Sequence, residues 1–261
     1  MKRIVLIFNF ILVCVSLSAQ NTSFIPTKEG ATCTYKYLNA KGKPQISKKT
    51  KEEIFLRYTV TAVTEKSDGV HIEILNETNL LDELEQSEIN TQLMEDIKTM
   101  NFRIENNILY ADNLLAKTNA LMSSQFDKMS SGDMKADITI KGQQVRIPLD
   151  LSVGQTLPEE EVMNMIIKMT GVMSMTFNIT TIYKNRKVEA KEDITTPAGT
   201  FSCYKVSYDL EGKMDMGMMK QGATQKIIEW LSPEIGTVKQ ETYNQKGKLE
   251  STMLLSETKN L

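Results

Sequence analysis

Residues 204–218 read Tyr204-Lys205-Val206-Ser207-Tyr208-Asp209-Leu210-Glu211-Gly212-Lys213-Met214-Asp215-Met216-Gly217-Met218. Tyr204, Val206, Tyr208, Leu210, Met214, Met216 and Met218 share one parity, and Lys205, Ser207, Asp209, Glu211, Lys213 and Asp215 fall between them. Successive side chains of a strand point to opposite faces, so this alternation marks a half-buried antiparallel strand. A period of 3.6 residues would not separate polarity in this way.

The same period extends along much of the chain. Met163, Met165, Ile167, Met169, Met173, Met175, Phe177 and Ile179 share a parity. Nearer the N-terminus, Ile54, Leu56, Tyr58, Val60 and Ala62 alternate with polar residues; the turn Lys66-Ser67-Asp68-Gly69 follows, and Val70, Ile72 and Ile74 resume the pattern. That is a strand, a glycine turn and a second strand, or a hairpin. Similar punctuation recurs at Glu105-Asn106-Asn107, Lys141-Gly142-Gln143 and Asn244-Gln245-Lys246-Gly247. One stretch departs from the rule. After Asp112 and Asn113, either of which can cap a first turn, Leu115, Leu121, Met122, Phe126 and Met129 recur at helical spacing, which predicts a helix over 113–129. Segment 80–100 fits a short helix or a loop. The expected fold is mainly β: an antiparallel curved sheet or incomplete barrel built from hairpins, with one or two helices packed against it. A soft boundary at Ser130-Ser131-Gly132-Asp133 divides it into residues 21–130 and 131–261, or the two form one continuous domain.

The chain has 261 residues, 41% of them apolar and 25% charged, which is ordinary globular composition and long enough to bury a real core. Basic and acidic side chains number 31 and 33 and the sequence pI is near 5.7; no Lys/Arg stripe is interleaved with aromatics, so nucleic acid is not an expected partner. Residues 1–20 have the order of a secretory signal: Lys2 and Arg3, an apolar run from Ile4 to Val15, and a small-residue site at Ser16 to Ala19. The apolar run is too short for a membrane-spanning helix, which needs roughly 20 residues. Cys14 lies inside that run after Val13, where a lipoprotein anchor would have a small residue before it. Cleavage removes two cations and no acid, leaving 29 basic against 33 acidic groups. The mature chain, with no second run of membrane length, is expected to be soluble and periplasmic or secreted. There Cys33 and Cys203 are either a disulfide or two buried thiols.

Several chemistries are struck off. His71 is the only histidine, on the parity opposite Val70, Ile72 and Ile74, and is expected at the surface. A two-histidine zinc site within one chain is therefore impossible, and there is no Gly-x-Ser-x-Gly elbow, phosphate loop or CxxC pair. The cluster Glu159-Glu160-Glu161 after Pro158 offers carboxylates to a hydrolase, but reads as a solvated turn or helix start. No cofactor is expected. Methionine is abundant, with 16 residues. The runs around Met163–Met175 and Met214–Met219 fit a strand core, an adaptable apolar surface for a flexible or lipid-like ligand, or a Cu(I) site. Against the last, two sulfurs of Met-x-Met lie about 7 Å apart along a strand and need help from a neighbouring strand.

The C-terminal third carries Thr196-Pro197-Ala198-Gly199-Thr200-Phe201-Ser202-Cys203-Tyr204-Lys205-Val206, then Glu229-Trp230-Leu231-Ser232-Pro233-Glu234-Ile235-Gly236-Thr237-Val238-Lys239-Gln240-Glu241. Over about residues 185–256 this resembles the TapB-like proteins, the group labelled domain of unknown function 3108 and its relatives. Gly154-Gln155-Thr156-Leu157-Pro158 fits that pattern more weakly. The resemblance implies an exported, β-rich bacterial protein and brings no catalytic residue with it. Read from the residues themselves, Pro197 and Gly199 make a turn, Phe201 anchors the strand after it, and Trp230 packs in the core or stacks on a ligand. The functional expectation is a non-enzymatic envelope protein whose concave sheet face binds an apolar ligand or an extended peptide through Met173, Met175, Phe177, Met214, Met216, Met218 and Trp230. A Met-rich Cu(I) binder and a carboxylate-dependent hydrolase are the alternatives.

Overall fold

A computed structural model describes residues 23–79, 98–120, 135–142, 146–170, 174–217 and 219–261. Thirteen strands make up one sheet: β1 Thr32–Asn39, β2 Phe55–Lys66, β3 Gly69–Thr78, β4 Thr99–Glu105, β5 Ile108–Asp112, β6 Lys135–Lys141, β7 Arg146–Pro148, β8 Glu160–Thr170, β9 Met175–Thr196, β10 Gly199–Asp215, β11 Lys220–Ser232, β12 Gly236–Tyr243 and β13 Leu249–Lys259. The pairings are antiparallel and most join consecutive strands, as the alternating pattern and its turns require. The predicted turns at Lys66–Gly69, Glu105–Asn107 and Asn244–Gly247 fall at hairpin ends, whereas Lys141-Gly142-Gln143 begins the link between β6 and β7, which do not pair with each other. Asn106 and Asn107, with φ of 48° and 62°, turn β4 into β5. Gly69, with φ 128°, closes β2–β3, where a Cβ would sit 2.1 Å from the Ile104 carbonyl oxygen, so only glycine fits.

The sheet order is β6-β8-β9-β10-β11-β12-β13-β1-β2-β3-β4-β5-β7. Strand β1 lies between β2 and β13, so the sheet passes without a break from one half of the chain to the other. The two edge strands, β6 and β7, are separated in the chain by only residues 142–145. Thirteen strands laid flat would hold their edges about 58 Å apart at ~4.8 Å per strand. Five residue steps span at most about 18 Å. The sheet must therefore curl until its edges nearly meet, yet they are not hydrogen-bonded to each other and the barrel stays open.

Among the described residues, two sets of contacts cross that seam. A helix over residues 114–120 follows β5, its first bond running from the Lys117 N–H to the Asn113 carbonyl at 2.9 Å. Leu114 packs against the main core and Leu115 against a cluster on β6 and β8, so these roughly two turns of helix touch both sides of the gap. The remainder of the predicted helix, 121–129, lies outside the described residues, as does the boundary at 130–133. Most of segment 80–100 lies outside them too, and its end belongs to β4, where Met100 is buried. The second set is ionic. Arg146 on β7 reaches Glu160 on β8 at 3.3 Å, and Glu160 also meets Arg186 on β9 at 3.2 Å.

Inside the curl, the main core gathers Phe24, Val60, Ile72, Phe102, Leu109, Leu151, Val188, Val206 and Ile227, with Tyr183 and Tyr208 edge to face at 5.2 Å. A second cluster holds Cys33, Tyr35, Leu56, Cys203, Trp230, Met253 and Leu255. β10 shows how both are served by one strand: Tyr204, Val206 and Tyr208 face the main core, whereas Phe201 and Cys203 belong to the second cluster. Register shifts at Lys205/Val206 and Ser207/Asp209 bend the long β9–β10 ribbon between them.

Candidate functional site

The methionine-rich segments meet on one face of the sheet. Residues directly opposite in an antiparallel pair point to the same side. Met165 faces Ile179 and Ile179 faces Met214; Ile167 faces Phe177; Met169 faces Met175. Ile140 and Ile138 extend the first two rows onto β6. The result is an apolar surface across β6, β8, β9 and β10, with Lys168, Asn178, Lys213 and Asp215 at alternating positions on the other side. It continues the inner face of the curl, because Tyr183 of the main core shares the face of Ile179 and Phe177 on β9.

Burial changes along this surface. Met163, Met165 and Ile167 are core, with Met165 wholly enclosed. Met169, Phe177, Ile179, Met214 and Met216 are half-buried, and Met175 is 42% exposed. Burial is that of a strand core at the base and lessens towards the tip. Met173 and Met218 lie outside the described residues.

Trp230 is not part of this surface. It packs in the second cluster and is 6% exposed; its Nε1–H donates to Glu192 at 2.6 Å, and Lys239 and Lys205 lie 4.5 and 5.5 Å from its ring centre. Those cations occupy the positions a stacking ligand would need. Cys33 and Cys203 sit in the same cluster as free, buried thiols, and burial pushes both up to about 12. His71 is partly enclosed rather than at the open surface, its Nε2 2.8 Å from Asp68 of the β2–β3 turn.

Glu160 departs most from the sequence reading. The expected solvated turn or helix start is instead the first residue of β8, and the Glu160 side chain is 5% exposed. Its carboxylate is enclosed between Arg146 and Arg186, which supply the charge that permits burial. Beside this pair the Tyr183 hydroxyl is buried with no hydrogen-bond partner among the described residues, and burial pushes its pKa up. Arg186 escaped the alternation because the bulge at residues 184–187 turns its side chain inward.

A cavity bounded by Tyr35, Tyr58, Ile74, Asn76 and Phe102 has a volume of about 10 Å³, room for one water. Among the described residues no group of three or more His, Cys, Asp or Glu side chains is placed to hold a metal ion, and no helix is long and apolar enough to cross a membrane.

Comparison with known proteins agrees with this architecture. Two crystal structures share it. One, from Bacteroides fragilis, is described as a "putative exported protein with YmcC-like fold"; it is 18% identical, aligned over 92% of this chain and 100% of its own, with a TM-score of 0.53. The other, described as a "putative lipoprotein" from Parabacteroides distasonis, is 22% identical over 91% and 99%, with a TM-score of 0.54. No curated protein matches the chain. The DUF3108-like family profile covers residues 28–255, so the likeness seen in residues 185–256 extends through the N-terminal half; the chain belongs to the DUF3108-like family.

Proposed function

We propose that this is an exported, non-enzymatic binding protein of the bacterial cell envelope that holds an apolar, lipid-like chain on the methionine end of its concave face. The observation that carries the reading is the graded surface of Met169, Phe177, Ile179, Met214 and Met216, half-buried and ending at exposed Met175. Unbranched, polarizable thioethers adapt to a flexible ligand at little cost in packing. Export is supported by the leader-like residues 1–20 and by the descriptions of the two structural relatives. The buried acid Glu160, engaged by two arginines, is committed to holding the fold.

A fluorescent 16-carbon fatty acid tests the reading. Saturable binding at one site is expected, weakened about ten-fold or more by Met214→Asp or Phe177→Asp, since each removes contact worth about 1.5–3 kcal/mol when fully buried. Trp230→Phe should leave it unchanged. Binding that does not saturate, or that ignores both aspartates, would overturn the proposal; displacement of the probe by extended apolar peptides but not by lipids would reassign the ligand.

A second reading is favoured by one contact. Met169 and Met175 are directly opposite on neighbouring strands, the cross-strand geometry that two thioethers need to approach one soft ion. A Cu(I) chelator competition with the wild type and Met169→Leu/Met175→Leu checks it; affinity weaker than micromolar in the wild type would end it.

A further inference from the structure

The loop joining β1 to β2, residues 40–53, is a built structure. Bridges Leu38–Pro44 and Ile46–Glu53 continue the ladder into it, and the Asn39 side chain accepts from the Lys41 and Lys43 N–H groups at 2.9 and 3.3 Å. At its tip Ser47 is wholly buried; its hydroxyl accepts from the Lys49 and Thr50 N–H groups at 3.2 and 3.1 Å, and its carbonyl accepts from the Lys51 N–H. This turn presents Lys48, Lys49 and Lys51 outward, with Lys41 and Lys43 on the turn before it, all exposed. Among them stands Ile46, 51% exposed.

The register adds a second basic turn. Asn39 lies opposite Ser251, so the β12–β13 turn, with exposed Lys246 and Lys248, emerges beside the loop. Among the described residues, seven lysines share this corner with Glu52, Glu53 and Glu250; Glu53 is paired with Lys36 at 3.0 Å, and the chain leaves β3 here too, the Asn79 side chain accepting from the Phe55 N–H and donating to the Glu53 carbonyl. Among these described residues the balance is positive, in a chain whose formal net charge is −2. The end of the sheet is shared with the methionine surface: β1 ends there, and so do β10 and the start of β9, with Met219 of the β10–β11 turn 55% exposed.

We infer that this corner docks on an anionic phospholipid bilayer, the lysines meeting headgroups and Ile46 entering the boundary beneath them. Cations around a single exposed aliphatic side chain match that surface on both counts. A soluble polyanion would meet the lysines and have no use for Ile46. The inference stands on residues other than the ligand surface, so either can fail alone.

The test uses the whole processed chain, because residues 80–97, which follow β3, carry six acidic side chains whose field must be included. Protein is floated with phosphatidylcholine vesicles with and without about one-third phosphatidylglycerol, in ~0.1 M salt. Binding is expected only to the anionic vesicles and should fall as salt rises. Each lysine near such a surface is worth about five-fold, so Lys48→Gln/Lys49→Gln/Lys51→Gln should weaken partitioning about a hundred-fold. Ile46→Asp should weaken it several-fold. All these positions are exposed, so an unchanged melting temperature verifies the fold, and the fluorescent fatty acid should still bind every variant. Equal binding to neutral and anionic vesicles, or none to either, overturns the inference. Binding lost in the lysine variant but indifferent to Ile46→Asp assigns the corner to a polyanion and overturns the bilayer.

Discussion

Replacing Glu160 by alanine removes the carboxylate that Arg186 and Arg146 share across the open seam of the sheet. Arg186 is only 9% exposed at its side chain and would be left charged in the core. Breaking a buried pair from one side costs about 3–5 kcal/mol, most of it the penalty of the stranded ion. Arg146 is 51% exposed and adds at most about 1 kcal/mol. For a chain of this size each kcal/mol moves the melting temperature by roughly 2–4 °C, so Glu160→Ala should melt on the order of 10 °C lower. Urea unfolding followed by the single tryptophan, Trp230, supplies the free energy directly. The double variant Glu160→Met/Arg186→Met, which removes both charges and refills the volume, should recover most of the loss, because the pair's own net contribution is small once neither ion is buried. A Glu160→Ala protein within about 1 kcal/mol of wild type, or a double variant no better than the single, would refute the account of the seam.

Four further outcomes are expected. Protein processed at the leader and denatured without reductant should titrate two thiols, Cys33 and Cys203, while the native protein at pH 8 should react slowly at both, since burial holds them near 12. Because the folded-state values are raised, the stability these thiols contribute is complete below about pH 8.5 and declines as pH rises towards 12, by up to about 1.4 kcal/mol per pH unit per thiol; Cys33→Ala should flatten that slope. Gly69→Ala should cost more than Gly247→Ala in urea midpoint: both have positive φ, worth about 1–2 kcal/mol of backbone strain, but only at Gly69 does the new Cβ strike a carbonyl oxygen. Mass spectrometry of exported protein should find an N-terminus near Ala19 or Gln20; a retained Met1 on protein recovered from the cytosol would contradict the leader.

Much of the fold was legible because period two is a local signal. The β2–β3 hairpin and the turns at Asn106-Asn107 and Asn244–Gly247 follow from residues a few positions apart. The convergence of Met165, Ile179 and Met214 was half legible: parity gave their faces, while their alignment needed the register of three strands. What stayed hidden was long-range. Nothing in residues 32–39 announces that β1 pairs with residues 251–259, and Trp230 joined the candidate site on its residue type alone, whereas the fold places it in another cluster. Glu160 was misread, and Arg186 drew no reading at all, because a buried charge is permitted by its partner, and the partner is reached only through a bulge and an edge strand.

The place of β1 in the strand order has a consequence for biogenesis. Its outer hydrogen bonds go to β13, more than two hundred residues later, so an emerging chain exposes a bare strand edge until nearly all of it has been made. Hairpins can form early, but the two sheets-in-waiting cannot be zipped together before residues 249–259 arrive. A polypeptide obliged to stay unfinished for so long consolidates late, and keeps its pairing edges open to wrong partners until its last strand is made.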